Sequence, residues 1–402
     1  MVKMAIVKFV EVCEKIGSGA TPRGGKEAYS DEGISLVRSQ NVLDFSFSSD
    51  GLVHINDEQA KKLKNVELHP DDVLLNITGD SVARACIMDS SFLPARVNQH
   101  VAIVRGKKEL VLNSYILYYL QWKKDYLLQL ASAGATRNAL TKGMIEQLDI
   151  NLPSLTEQKR IVAVLDSIQQ KISVNKKIND NLQQQAAAIF RSWFVDCAPF
   201  GGKAPDEWEN VTLEDITALV SRGITPKYAD DTDQIVINQK CIRNHTIDLS
   251  LARTHTPKII NEKWLRFGDL LINSTGDGTL GRAAQVWFQP KNLTVDSHVT
   301  IARPAKENLI FYIGLWGILH EKEIESLHTG STGQTELPRD RVKAMELLLP
   351  DNETLDRFNG LITPMAAAIV ANQEENNRLA ALRDAILPKL MSGEIDVTDI
   401  QL

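Results

Sequence analysis

What this 402-residue sequence lacks narrows its function before any motif does. No window holds the 18 or more consecutive apolar residues of a membrane-spanning helix. The N-terminal "MVKMAIVKFVEVCEK" mixes Lys8, Glu11 and Glu14 into its apolar residues and so has no uninterrupted signal-peptide core; a cytoplasmic, non-membrane chain is expected. Cysteine is sparse. Cys13, Cys86, Cys197 and Cys241 lie far apart, with no CxxC and no histidine pair at zinc-ligand spacing, which reads as buried or incidental thiols and no metal site. There is no GxxxxGK-Ser/Thr loop for nucleotide phosphates, no GxSxG and no HExxH. Without a single Pro-Pro pair the Asn/Asp-Pro-Pro-aromatic motif of DNA amino-methyltransferases is excluded, and neither "PDDV" at Pro70 nor "PDEW" at Pro205 is followed by the Glu-x-Lys of a nuclease. Catalysis by this chain alone is not expected.

An excess of positive charge is also missing: 45 Lys and Arg against 51 Asp and Glu leave a net charge of −6. The deficit is uneven, with four basic against nine acidic residues over 351–402 but 18 against 18 over 1–154. Any face for nucleic acid must therefore be a local patch.

What is present is a duplication. "GSGATPR" returns as "SRGITPK", and "LVRSQNV" with Gln40 returns as "IVINQKCI" with Gln239. "PDDVLLNITGD" matches "RFGDLLINSTGD", pairing Asp72 with Asp269, Asn76 with Asn273, Thr78 with Thr275 and Asp80 with Asp277. "NQHVAIVR" with His100 matches "DSHVTIAR" with His298, "SAGATRNAL" matches "HTGSTGQTEL", and "LPSLTEQKRI" matches "LPDNETLDRF". Asn76 and Asn273 stand 197 apart, as do Pro153 and Pro350. Between these islands the halves diverge, which suggests two domains of one fold reading different things. "DVLLNIT" and "HVAIVR" are short, β-branched and bounded by turn residues, so they read as strands. "NSYILYYLQWKKDYLLQLA" and "NLIFYIGLWGILHEKEIESL" read as helices packed on them.

After each half comes a long helical run. Heptad positions Ile161, Ile168, Asn175, Leu182, Ile189 and Leu165, Ile172, Asn179, Ala186, Trp193 recur 197 residues later, with Asn372 and Asn376 at the phase of Asn175 and Asn179. Forty helical residues extend roughly 60 Å at about 1.5 Å each, more than one 150-residue globule can cover. The expected solution is an antiparallel intramolecular coiled coil in which Asn175, Asn179, Asn372 and Asn376 fix register; the other reading is a separate capping helix on each domain. The expected organisation is a domain over 1–154, a helix over 155–196, a linker over 197–212, a second domain over 213–350, a second helix over 351–392 and a tail over 393–402. The fold class is mixed α/β (α+β), a tandem pseudo-repeat.

The polar residues suit recognition. Asn76, Thr78 and Arg84 cluster at one strand-turn-strand, as do Asn273, Thr275 and Arg282. Asparagine can read adenine through paired hydrogen bonds, arginine can read guanine or hold a phosphate, and threonine can touch a phosphate or a thymine methyl; the same residues also make ordinary polar turns. Thr21, Arg23, Gln40, Arg137 and Asn138, with Thr225, Lys227, Gln239, Gln334 and Arg339, lie in similar Gly-bounded loops and complete the expected DNA-binding set. Gly79 and Gly276 fit turn positions with φ > 0. Asp80 and Asp277 read as turn residues rather than metal ligands, since no second carboxylate or histidine is near in sequence. His100 and His298 either hold the adjacent loop or touch a base.

With "GSGATPR", "DVLLNITGD" through Arg84, "NQHVAIVR", "LPSLTEQKRIVAVLD" and "AAAIFRSWFVD" repeated in order around two long helices, the sequence resembles the specificity subunit of Type I restriction-modification systems. The resemblance implies two target recognition domains, each reading half of a bipartite double-stranded DNA sequence, on helices that act as a ruler and as the docking surface for two methyltransferase subunits. Those partners bind S-adenosylmethionine and methylate adenine; an ATP- and Mg2+-dependent restriction subunit can join them, and this chain binds no cofactor itself. "LPDNETLDRF" departs from the pattern in lacking the counterparts of Glu157 and Gln158. The alternative from a different class is a duplicated protein-binding scaffold or adaptor.

Overall fold

The computed structural model describes residues 5–132, 138–276, 278–330 and 335–400. The chain divides into two compact units, Met1–Ser173 with Asn377–Leu402, and Val174–Asn376.

In the first unit the strands are β1 (Ala5–Lys8), β2 (Cys13–Ser18), β3 (Ile34–Val37), β4 (Val53–Ile55), β5 (Val73–Asn76), β6 (Ala85–Ile87), β7 (Ala95–Val97), β8 (Val101–Gly106) and β9 (Asp149–Leu152). They form a four-stranded antiparallel sheet in the order β2-β8-β5-β6, a three-stranded sheet in the order β4-β3-β7 with β3 and β7 parallel, and the pair β1-β9. The helices are α1 (Phe9–Val12), α2 (Asp57–Lys62), α3 (Asn113–Trp122), α4 (Lys124–Ser132), α5 (Lys142–Glu146) and the 40-residue α6 (Leu155–Phe194).

The second unit repeats this plan. Its strands are β10 (Glu209–Thr212), β11 (Thr217–Arg222), β12 (Ile235–Ile237), β13 (Ile242–Arg243), β14 (Thr246–Ile247), β15 (Arg253–Thr254), β16 (Leu270–Asn273), β17 (Ala283–Gln285), β18 (Leu293–Val295), β19 (Val299–Pro304) and β20 (Glu346–Leu349). The sheet orders β11-β19-β16-β17, β15-β12-β18 and β10-β20 reproduce those of the first unit, and the hairpin β13-β14 is extra. The helices α7 (Ile310–Leu319), α8 (Glu321–Ser326) and α9 (Arg339–Lys343) precede the 41-residue α10 (Asn352–Ser392).

The continuous apolar runs in β5 and β16 follow from burial on both faces. Val73 and Leu75 face a core shared with Tyr115, Ile116 and Leu120 of α3, while Leu74 faces a second core with Leu36, Val37 and Val97 of the three-stranded sheet. Ile272 and Leu271 divide in the same way between α7 and the β12-β18 side. Each four-stranded sheet is thus the middle layer of its unit. The runs read from sequence as single helices are each broken, at Lys123 and at His320, whose backbones (φ −88°, ψ 11° and φ −99°, ψ 19°) leave the helical region.

Both long helices begin where the chain supplies a cap. Ser154 and Glu157 make a reciprocal capping box, the Ser154 N–H donating to Glu157 Oε2 (2.9 Å) and the Glu157 N–H to Ser154 Oγ (3.3 Å). At α10 the Thr354 N–H donates to Asp351 Oδ1 (2.9 Å), and this bond holds the Asp351 carboxyl below the usual range. The missing counterpart of Gln158 has a structural meaning. Gln158 is buried and satisfies Leu112 N–H and the carbonyls of Leu110 and Pro153, whereas Leu355 fills the matching place with an apolar side chain.

The helices pair antiparallel inside each unit. In the first, Ile161 and Leu165 pack with Leu387, Leu390 and Met391, and Arg383 Nη1 donates to Gln169 Oε1 (2.9 Å). In the second, Asn175 Nδ2 donates to Asn376 Oδ1 (3.0 Å) and Asn372 Nδ2 to Asn179 Oδ1 (2.8 Å). Each asparagine therefore meets the repeat counterpart of the other, so the pair to exchange is Asn179 with Asn372 and not Asn175 with Asn372. Replacing both with leucine is expected to raise stability by roughly 1–2 kcal/mol and to admit alternative registers. Urea unfolding together with cysteine cross-linking across the seam measures both; destabilisation with a single register retained would contradict it. The segment after α6 is packed down: Phe200 meets Trp193 and Trp208, and Trp208 Nε1 donates to Asp351 Oδ2 (3.2 Å).

Candidate nucleic-acid interface

Sheet topology alone gathers the repeated motifs. In the second unit β11 and β16 end, and β17 and β19 begin, at one end of the four-stranded sheet, as the pairings Arg222 with Thr300, Asn273 with Val299 and Ile272 with Ala283 show. The parallel strands β12 and β18 run toward the same end. The loops at 223–227, 238–241, 274–282 and 296–298 therefore meet there, joined by 335–337, whose Leu337 N–H donates to the Ser274 carbonyl (2.8 Å). In the first unit the loops at 19–23, 38–41, 77–84 and 98–100 converge identically, with Leu140 N–H donating to the Ile77 carbonyl (2.8 Å).

Gly19 and Gly223 are required by this convergence. A Cβ at Gly19 would overlap the Val97 carbonyl, and one at Gly223 the Val295 carbonyl. The repeated Thr-Gly-Asp turns are closed by backbone. Ala83 N–H donates to Asn76 O and Gly281 N–H to Asn273 O (both 2.9 Å), and Gly79 and Gly276 have φ of 75° and 104°, as expected for turn glycines. Asp80 is exposed; Asp277 lies outside the described residues.

Thr78 Oγ1 and His100 Nδ1 are 2.7 Å apart, and Thr275 Oγ1 and His298 Nδ1 are also 2.7 Å apart. This contact favours the loop-holding reading of the histidines. Their backbones are fixed in turn: His298 N–H donates to Asp296 Oδ1 (2.9 Å) and His100 N–H to Asn98 Oδ1 (3.1 Å). Burial pushes the Asp296 carboxyl up, against the His298 hydrogen bond that favours its charged form. Thr275 also donates to Gln239 Oε1 (3.1 Å). Replacing Thr275 with valine removes both contacts and is expected to cost about 1 kcal/mol of stability. A denaturation curve reads the loss; an unchanged midpoint would show that the two contacts contribute nothing to holding the turn.

The asparagines are not where a base reader must be. Asn76 and Asn273 are wholly buried. Asn76 Nδ2 donates to the carbonyls of Ser39 (2.9 Å) and Val42 (3.4 Å), and Asn273 Nδ2 to that of Gln239 (3.0 Å), so they tie the turn after β3 or β12 to the end of β5 or β16. The same contacts correct the sequence alignment. Gln239 occupies the place of Ser39, and Lys240 that of Gln40. Gln40 is exposed, but its Nε2 donates to the carbonyls of Asp50 and Gly51 (3.2 and 3.1 Å). Arg282 Nη2 donates to Gly278 O (2.7 Å) within its own loop, and Arg84 is half-buried beside the matching turn.

Arg23, Asn138, Thr225, Lys227 and Arg339 are exposed at these loops, and Thr21 is half-buried. Arg137 and Gln334 lie outside the described residues. Sequence reasoning passed over Arg222, which forms an ion pair with Glu336 and donates to Leu337 O (2.8 Å), and the cation–π pair of Arg253 over Tyr228 (3.7 Å). The residues flanking Gly223 in "SRGITPK" were the available signal for Arg222; nothing local marked Arg253. All four cysteines are buried, and burial pushes the Cys13 and Cys86 thiols up to about 12 and Cys241 to about 11. Among the described residues no helix is long and apolar enough to cross a membrane.

Both units bring polar loops to one sheet end and run into paired long helices, an arrangement shared with known proteins. Residues 1–184 match the family model for the Type I restriction modification DNA specificity domain. The Type I restriction enzyme MjaIX specificity subunit of Methanocaldococcus jannaschii is 25% identical over 98% of this chain and 94% of its own. The EcoKI specificity subunit of Escherichia coli is 22% identical over 91% of this chain and 83% of its own. The crystal structure of a Type-I restriction-modification system S subunit from M. genitalium has the same fold, with a TM-score of 0.55 and 11% identity over 97% of this chain and 96% of that one. Residues 1–184 thus match the Type I restriction modification DNA specificity domain, and over nearly its whole length the chain is similar to Type I restriction enzyme specificity subunits.

Proposed function

We propose that the chain reads a bipartite double-stranded DNA target, one half-site by the loops of residues 1–154 and the other by those of 213–350. The paired helices over 155–196 and 351–392 set the unread spacer, and the asparagine seam keeps its length. The observation that carries this reading is the convergence of the same loops on one sheet end in both units, with exposed Arg23 and Asn138 in one and Thr225, Lys227 and Arg339 in the other. Asn76, Asn273, Thr78 and Thr275 act by holding these loops, and direct contacts come from the exposed residues.

Magnitudes favour two reading units. A bidentate base contact discriminates by about 1–3 kcal/mol, so three such contacts reach perhaps 3–9. Specific binders need about 4–10 kcal/mol over nonspecific DNA. One small domain is marginal, and two in fixed register are sufficient. The partners are two methyltransferase subunits, which bring S-adenosylmethionine, and in a restricting complex an ATP- and Mg2+-dependent subunit.

The test is to exchange residues 1–150 for those of another family member and map the methylated sequence in cells that also carry the methyltransferase partner. One half-site should change and the other persist; a change in both together sinks the proposal. A protein-binding scaffold would instead show no salt-sensitive binding to duplex DNA with its partners present.

A further inference from the structure

Among the described residues Ile259 is the most exposed large apolar side chain, at 88%, ahead of Ile6 at 69%. Its neighbour Ile260 is 4% exposed, so the chain turns one isoleucine inward and holds the next one out. Scattered surface leucines and isoleucines need no explanation, but this one is mounted on a braced loop. Gln234 clamps the backbone of Lys258, accepting from its N–H at Oε1 (2.9 Å) and donating to its carbonyl from Nε2 (3.1 Å). Lys258 Nζ donates to Thr225 O (2.5 Å), Lys263 Nζ to Gly223 O (3.2 Å), and Thr256 N–H to Lys227 O (2.8 Å). Asn261, at φ 54°, makes the reversal just beyond the tip. Both lysines on either side of Ile259 thus fasten it to Gly223–Lys227, the segment that leaves β11 at the sheet end where the candidate interface forms.

Among the described residues the first unit has no counterpart. There the chain after β4 enters α2, capped by Asn56, whose side chain accepts from Gln59 N–H (3.0 Å). The isoleucine tip belongs to the part of the repeat that diverges.

We propose that Ile259 is a specificity-determining residue of the second unit that packs against the C5-methyl group of a thymine in its half-site. This rests on the DNA-reading function proposed above. An isoleucine offers no hydrogen bond, and the thymine methyl is the apolar feature that distinguishes one base edge in the major groove. Insertion between base steps is the other apolar mode, but unstacking a step costs more than burial of one isoleucine offsets, and this side chain stands alone at the tip.

The experiment uses the full chain assembled with its methyltransferase subunits and the target found by methylome mapping. Each thymine is replaced in turn by deoxyuridine, which lacks only the methyl, and binding is measured for the wild type and for Ile259→Ala. At one or more thymines of a single half-site deoxyuridine should weaken the wild type about fourfold, and the variant should lose that sensitivity there while keeping it elsewhere. The side chain is exposed, so Ile259→Ala should keep the wild-type unfolding midpoint, which is measured alongside. Identical deoxyuridine profiles for the two proteins overturn the inference, as does a uniform loss of affinity in the variant or a half-site without thymine. If the wild-type complex does not prefer its methylated sequence to a scrambled duplex, the DNA-reading function itself fails and the inference falls with it.

Discussion

Replacing Asp269 with alanine is expected to destabilise the second unit by about 3–5 kcal/mol, because it strands a buried guanidinium. Asp269 is 1% exposed and Arg303 6%. The pair is bidentate, Arg303 Nε to Oδ1 at 2.8 Å and Nη2 to Oδ2 at 2.7 Å. Two further donors are also committed, Nη1 to Glu262 O (2.7 Å) and Nη2 to Trp264 O (2.6 Å), and Asp269 Oδ2 accepts from Arg266 N–H (2.8 Å). Removing the carboxylate leaves Arg303 in place with its charge uncompensated, whereas removing both charges, as Asp269→Ala with Arg303→Met, should recover most of the loss. Asp269 lies immediately before β16, the strand that delivers Asn273 and the Thr-Gly-Asp turn. Recognition of one half-site should therefore fail with stability. Urea unfolding of the two variants reads the first effect and methylated-site mapping the second; a loss below about 1 kcal/mol for the single variant would contradict the argument. Asp72 and Arg105 make the same pair in the first unit, at 2.5 and 2.6 Å, and predict the mirror-image result for the other half-site.

The second large effect is expected at Phe358, where alanine should cost about 3–5 kcal/mol by opening a cavity among aromatic rings. Phe358, in the first turns of α10, is wholly buried, with ring centroids 4.8 Å from Phe194, 5.9 Å from Trp193 and 6.1 Å from Phe190 at the end of α6. Tyr312 of α7 closes the cluster, 5.0 Å from Phe194. This is where the two helices and the second unit share one core, so the cavity should loosen helix pairing and domain packing together. Phe358→Leu, which keeps most of the volume, should cost less than about 1.5 kcal/mol. Hydrogen exchange reads the site of the damage: protection should fall in residues 182–194 and 352–369 first, and equal loss throughout the chain would argue against a local core.

Some of this was legible before any coordinates. The sequence "DVLLNITGD" contains β5 and "DLLINSTGD" contains β16, because an apolar run of strand length ending at a glycine turn has few other solutions in a mixed domain. The heptads predict both long helices, and the matched asparagines predict a polar seam. Other features were hidden by the same regularities. Asn76 and Asn273 look like base readers since they adjoin a turn, and only the packing of the three-stranded sheet against β5 and β16 shows that their amides face inward. Gln40 and Gln239 align by identity, yet the carbonyls that receive the asparagine amides put Ser39 and Gln239 in register. Ile259 sits in a stretch with no periodicity, and its exposure depends on Gln234, Lys258 and Lys263 bracing it from different parts of the chain.

The sequence by itself determined the duplication, the strand and helix types, the paired helices and the resemblance to specificity subunits, because each is written in local pattern and in the spacing of repeated islands. Tertiary structure alone decided which polar residues point outward at the sheet ends and which are spent inside holding loops. A residue's exposure depends on what the rest of the chain lays over it, and that covering comes from segments tens of residues away.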